Sequence, residues 1–256
     1  MKAVLLAGGL GTRMREETEF RPKPMVEVGG RPVLWHIMKI LASQGITDFV
    51  ILTGYKGEVI RKFFHDYEAL NLDFTLRLGK NSFIEYHGSH SEDGWNITVV
   101  DTGPNTLTGE RILRARNYIE DERFLLTYGD GIADINMQNL ISKHASSNSF
   151  VTVSMSRPRS RFGVVETDQS GLITNFTEKP KGSELVNIGY MIAEPEVFNY
   201  LRPGEAFEDG PLKRLAEERK LSGYLHEGFW QPMDTQRELE HLKALWDGGA
   251  APWVTW

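Results

Sequence analysis

The chain has 256 residues, 40% hydrophobic and 25% charged, with a formal net charge of −6; that is material for one large α/β domain or two small ones, and its acidity argues against a broad nucleic-acid footprint. It contains no cysteine, which excludes disulfides and thiolate metal sites. No apolar stretch approaches the roughly 20 residues of a membrane span, so the expectation is a cytoplasmic protein with neither membrane nor nucleic-acid partners.

Lys2 to Leu6 reads as a buried strand that breaks into Gly8-Gly9-Leu10-Gly11-Thr12-Arg13. The apolar run is too short for a secretory signal and is followed by Arg13, Arg15, Glu16 and Glu17. A dinucleotide fingerprint aligned on Gly9 and Gly11 ends on Met14, and the Gly-Lys-Ser/Thr of an ATPase loop is missing. What remains is a strand ending in a turn whose bare amides can face an anion, with Arg13 adding a forked cation. Ten residues on, Lys23 stands between Pro22 and Pro24. Prolines on both sides predict an extended backbone that aims the ammonium with little entropy loss, toward the same phosphates or simply into solvent.

Pro32 to Ser43 has the apolar spacing of a helix, with Gly45 as its stop. Phe49 to Thr53 is a second strand, Glu58 to His65 a helix, Ile97 to Val100 a strand and Gly109 to Ile119 a helix. Phe124 to Tyr128 is a strand closed by Gly129-Asp130-Gly131, and Ile135 to Ala145 a helix. Such alternation predicts a Rossmann-like α/β fold: a mostly parallel mixed sheet with helices on both faces and ligands at the strands' carboxyl ends. Asp130 lies at that edge, where a hard cation bridging phosphates takes oxygen ligands; a plain turn is the alternative.

From Ser149 the texture changes to short strands, Val151 to Met155, Val164 to Thr167, Leu172 to Thr177 and Val186 to Ile192, which predict a small antiparallel part. Glu178-Lys179 follows one of them, and Asn187-Ile188-Gly189 opens another; a solvated loop and a sugar-phosphate contact are both open for them. Pro211 starts a helix, and Thr235 to Glu238 has the pattern of a capping box leading into the last one. Asp234, just before it, is either a helix-terminal charge or a second carboxylate on a metal. Trp253 and Trp256 either pack on the core or bury in a subunit contact, and the contact is the expectation because aromatics are enriched there. The expected organisation is one domain over 1–256, with 1–148 mainly for nucleotide and 149–256 mainly for sugar phosphate.

The stretches LLAGGLGTRM, RPKPMVEVGGRPVLWH, TYGDG, EKPKG and FWQPMDT together resemble the sugar-1-phosphate nucleotidylyltransferases, and DTGPNTLTGERI with FWQPMDT resembles their cytidylyltransferase branch. The resemblance runs along the whole chain. It implies CTP and glucose 1-phosphate as substrates, CDP-glucose and pyrophosphate as products, Mg2+ as cofactor and a homo-oligomer. It further implies a nucleotide loop of Leu6, Ala7, Gly8, Gly9, Leu10, Gly11 and Thr12, with Arg13 and Lys23 catalytic on the phosphates. Thr106, Arg111 and Gly129 would lie near the nucleoside, with Arg111 reading the cytosine edge. Asp130 and Asp234 would hold the metal. Lys179 would meet the sugar phosphate, and Glu178, Asn187 and Gly189 the sugar, in a loop that departs from related enzymes where Ile188 separates Asn187 from Gly189. A uridylyl- or thymidylyltransferase and a non-catalytic regulatory subunit of the same fold are the alternatives.

Overall fold

The computed structural model describes residues 1–158, 162–178, 180, 182 and 184–256, with Arg13 and Arg15 described by their backbone alone. Seven strands form the central sheet: β1 (Ala3–Ala7), β2 (Asp48–Thr53), β3 (Asn96–Asp101), β4 (Phe124–Tyr128), β5 (Val151–Ser156), β6 (Val186–Ala193) and β7 (Leu221–Leu225). Their spatial order is β7-β5-β6-β4-β1-β2-β3. Every neighbouring pair is parallel except the two made by β6, which runs against both β4 and β5. This is the α/β sheet expected, and it takes strands from both halves of the chain.

Strand β1 is apolar at every position because both of its faces are covered. Ala3, Leu5 and Ala7 pack into one core with Leu34, Ile37 and Met38 of the helix Val33–Ala42 and with Leu239 and Leu242 of the helix Gln236–Asp247. Val4 and Leu6 point the other way, into a core with Ile112, Ile119, Phe198 and Leu215.

The direction of the strands places the site. The turns after β1, β2, β3 and β4 all open at one edge, and β6, running the other way, starts there with Asn187 and Gly189. Three features differ from the sequence expectation. Lys23 lies in a 3-10 turn, Lys23–Met25, rather than in extended backbone; Pro24 occupies its second position, where a missing N–H costs nothing. The helix expected over Gly109 to Ile119 is two, Thr108–Arg114 and Arg116–Ile119, tightened at Ala115.

Trp253 is also not held for a subunit contact. It is fully buried within the chain, stacked on Phe229 with ring centroids 5.5 Å apart. A left-handed Gly249 reverses the chain after the last helix, and the Ala250 N–H donates to the Leu245 carbonyl at 2.9 Å, which returns the tail onto the helix Val33–Ala42. Two exposed hairpins, Asp73–Arg77 with Phe83–His87 and Val164–Thr167 with Ile173–Thr177, stand outside the sheet. Among the described residues, no helix is long and apolar enough to cross a membrane.

Candidate active site

A small ladder brings the distant acidic residues together. Gly131–Ala133 pairs antiparallel with Trp230–Pro232, Gly131 opposite Pro232. The Met233 N–H then donates to the Asp130 carbonyl at 2.9 Å, so Asp130 and Asp234 finish side by side. Asp234 is held from behind by the capping box, where Glu238 Oε2 accepts from the N–H groups of Asp234 and Thr235 at 2.8 and 2.9 Å.

Lys23 joins them from 107 and 211 positions away, its ammonium 2.7 Å from Asp130 Oδ2 and 2.5 Å from Asp234 Oδ1. Burial works to lower the Lys23 pKa, but Asp130 and then Asp234 outweigh it and hold the ammonium above the ordinary lysine value. The ammonium stays charged at any physiological pH. Gly129 is what lets the Lys23 turn close: a Cβ there would sit 3.1 Å from the Pro24 ring and 3.3 Å from the Leu6 carbonyl.

The glycine-rich loop lies beside this cluster. Leu6, Ala7 and Gly8 are buried, whereas Gly9, Leu10 and Thr12 are exposed at the mouth. Gly11 has φ +62°, and a Cβ on it would come within 2.7 Å of the Thr18 methyl, so glycine is required there.

Arg111 stands directly behind the loop. It is only 3% exposed, and its guanidinium donates to the Gly8 carbonyl (2.9 Å), the Thr53 carbonyl (3.0 Å), the Thr102 hydroxyl (2.7 Å) and the Gly103 carbonyl (2.7 Å). One side chain thus ties together the turns after β1, β2 and β3. Burial lowers its pKa, though guanidinium remains protonated regardless. Gly8 must lack a side chain, because a Cβ there would lie 2.4 Å from Arg111 Cζ. Thr106 belongs to the same turn and donates to the Thr102 carbonyl at 2.5 Å.

On the other side of Asp130 is a pocket of about 80 Å³, walled by Tyr128, Asn187, Gly189 and Trp230. Gly189 has φ +89°, and a Cβ on it would lie 2.4 Å from the Tyr128 ring. Asn187 Oδ1 accepts from the Gly189 N–H at 2.9 Å. The Tyr128 hydroxyl donates to Glu208, whose other oxygen accepts from Thr108 at 2.7 Å.

The structure therefore brings Lys23, Gly129, Asp130, Asp234, Asn187 and Gly189 to one place beside the loop. Glu178 is exposed at the end of the second hairpin, its carboxylate beside Gly163, and it does not line this pocket. The Arg13 side chain and Lys179 lie outside the described residues. Sequence reading missed Tyr128 and Trp230 as pocket walls; for Trp230 the signal was present, in its position four residues before Asp234. A larger cavity of about 450 Å³ lies against β3, lined by Phe64, Tyr67, His90 and Trp95. It shares no residue with the acidic cluster, and size alone does not make it the site.

The arrangement of glycine turn, half-buried lysine and paired aspartates at one sheet edge is that of an enzyme handling phosphates. Residues 2–231 match the nucleotidyl transferase family, and the chain belongs to it; it is a nucleotidyltransferase. It is 45% identical, over the full length of both chains, to the glucose-1-phosphate cytidylyltransferase of Salmonella typhi. It is 44% identical, again over both full lengths, to the probable glucose-1-phosphate cytidylyltransferase of Bacillus subtilis. In fold it resembles a putative glucose-1-phosphate thymidylyltransferase from Bacillus anthracis, with TM-score 0.69, 20% identity and coverage of 98% and 95% of the two chains.

Proposed function

We propose that this protein condenses CTP with α-D-glucose 1-phosphate to give CDP-glucose and pyrophosphate. The meeting of Lys23, Asp130 and Asp234 between a glycine-rich loop and the pocket walled by Tyr128, Asn187, Gly189 and Trp230 carries the reading. Full-length similarity to cytidylyltransferases supports the particular substrate pair. An oxygen of the sugar phosphate attacks the α-phosphorus of CTP; the new O–P bond forms as the bond to the bridging oxygen breaks, and pyrophosphate departs. Two anions must be brought together, so the barrier is electrostatic and positional and no protein nucleophile is needed.

The loop from Leu6 to Thr12 receives the triphosphate on its backbone amides, and Arg13 is assigned to its outer phosphates. Arg111 contributes by fixing the Gly8 carbonyl, with Thr106 and Gly129 completing the wall. Lys23 neutralises oxygens on the attacking and α-phosphoryl groups. Asn187 and Gly189, which line the pocket, are assigned to the sugar; Lys179 is assigned to its phosphate, and Glu178 to the sugar from the second hairpin, outside the pocket walls. Asp130 and Asp234 suit a hard divalent cation: both carboxylates already face a cation, the Lys23 ammonium, and Mg2+ takes one or two carboxylates together with substrate phosphates. Bound there, Mg2+ supplies charge neutralisation and a template for the phosphates.

Phe74, Leu76 and Ile84 on the first hairpin and Val165, Ile173 and Phe176 on the second are exposed. Apolar surface of that kind supports a homo-oligomer. The absence of cysteine fits the cytoplasm.

Pyrophosphate release measured with four nucleoside triphosphates against several hexose 1-phosphates tests the reading. CTP with glucose 1-phosphate is expected to be the best pair. Preference for UTP or dTTP would overturn the base assignment, and no release with any pair would overturn the reaction.

A further inference from the structure

Trp230 Nε1 is buried and has no hydrogen-bond partner among the described residues. An indole N–H is a donor only, and buried ones ordinarily find an acceptor; an orphaned one asks for an explanation. Its surroundings supply one. Nε1 faces Gly131, the residue after Asp130, and a Cβ built on Gly131 would sit 3.5 Å from Nε1 and 4.0 Å from the Ile188 carbonyl oxygen. Where a side chain would be, there is a notch that both a donor and an acceptor border. Tyr128, Asn187 and Gly189 wall the same pocket.

We infer that this notch seats one hydroxyl of the hexose, with Trp230 Nε1 donating to the hydroxyl oxygen and the hydroxyl proton donated to the Ile188 carbonyl. A hydroxyl is the small group that donates and accepts at once, so it matches both walls, whereas a methylene matches neither. Trp230 is thereby a sugar-specificity residue, and Gly131 is glycine to leave room for the substrate rather than for backbone freedom; its φ is not in the left-handed region. The inference rests on the nucleotidyl-transfer reading and adds to it which protein atoms sort one sugar from another.

The test uses the full-length enzyme and its Trp230→Phe and Gly131→Ala variants, with kcat/KM taken for glucose 1-phosphate and for its 2-, 3-, 4- and 6-deoxy derivatives. Trp230→Phe keeps an aromatic ring but loses the pyrrole half of the indole with its donor; it is expected to lower kcat/KM for glucose 1-phosphate about tenfold, the size of one lost hydrogen bond. For one deoxy sugar, and only one, wild type and Trp230→Phe should agree within about twofold, because the partner hydroxyl is already gone. Gly131→Ala puts a methyl at ordinary contact distance from its neighbours, and its penalty should shrink with that same deoxy sugar.

A Trp230→Phe variant equal to wild type on every sugar overturns the inference, as does one losing the same factor on all of them, which is what packing alone would give. Wild-type enzyme inactive on glucose 1-phosphate would instead bring down the functional reading and this inference with it.

Discussion

Replacing Arg111 tests whether the nucleotide loop is shaped from behind. The guanidinium makes four bonds of 2.7 to 3.0 Å to groups in three turns, and no carboxylate is among these partners. Arg111→Ala removes all four bonds, at about 1 kcal/mol each, although the Thr53 carbonyl keeps the Thr102 N–H and hydroxyl and the Gly8 carbonyl keeps the Tyr55 N–H. The sum, about 4 kcal/mol, is a large part of a typical stability of roughly 5–15 kcal/mol. For a chain of this size, about 2–4 °C per kcal/mol puts the melting temperature about 10 °C lower. Arg111→Lys keeps the charge but replaces the planar fork with one compact ammonium, and should fall between wild type and Ala.

Thermal melts and CTP KM, measured well below the variants' transitions, check this together. KM for CTP should rise while the CTP to UTP preference stays at the wild-type ratio, because the terminal donors of Arg111 are already taken up by the protein. An Arg111→Ala enzyme melting within about 2 °C of wild type would refute the clamp. A changed base preference would return Arg111 to reading the cytosine edge.

His36 is buried against the Val28 carbonyl, with Trp253 Nε1 3.4 Å from its Nδ1; burial first, and Arg31 in addition, lower its pKa to about 4. Below pH 6.5 the unfolded chain takes up this proton while the folded one does not, so stability falls as pH falls, by about 2 kcal/mol between pH 7 and pH 5. Urea unfolding of wild type and His36→Gln at the two pH values should show a shallower slope in the variant; equal slopes would exclude His36 as a source. Asp130→Asn and Asp234→Asn should each lower kcat at least about a hundredfold at limiting Mg2+, and added Mg2+ should recover part of the loss in a titration. Gly189→Ala must move the Tyr128 ring and adopt a strained φ, so KM for glucose 1-phosphate should rise more than KM for CTP in steady-state kinetics.

Much of the architecture was readable from residue pattern. The all-apolar run of β1 and the glycines that follow it could only be a doubly covered strand feeding a turn. The capping box at Thr235 and Glu238 was legible because its chemistry is local. What escaped is what depends on pairing across the chain. The ladder that lays Asp234 beside Asp130 is built from three-residue strands, too short to leave a period. Arg111 shows only as a cation in a helix, since the carbonyls around it come from three turns. Lys39 and Glu92, a buried pair 2.7 Å apart, are likewise silent in sequence because each alone looks solvated. Trp253 misled for a related reason: a terminal aromatic suggests a contact with another chain until Gly249 is seen to fold the tail back.

The most direct test of the account is a crystal of this protein grown with CTP and Mn2+, with anomalous scattering used to place the metal. The account predicts a peak shared by the carboxylates of Asp130 and Asp234, with the Lys23 ammonium moved from them onto phosphate oxygen. Manganese bound elsewhere, with Lys23 still bridging the two aspartates beside a bound triphosphate, would contradict it.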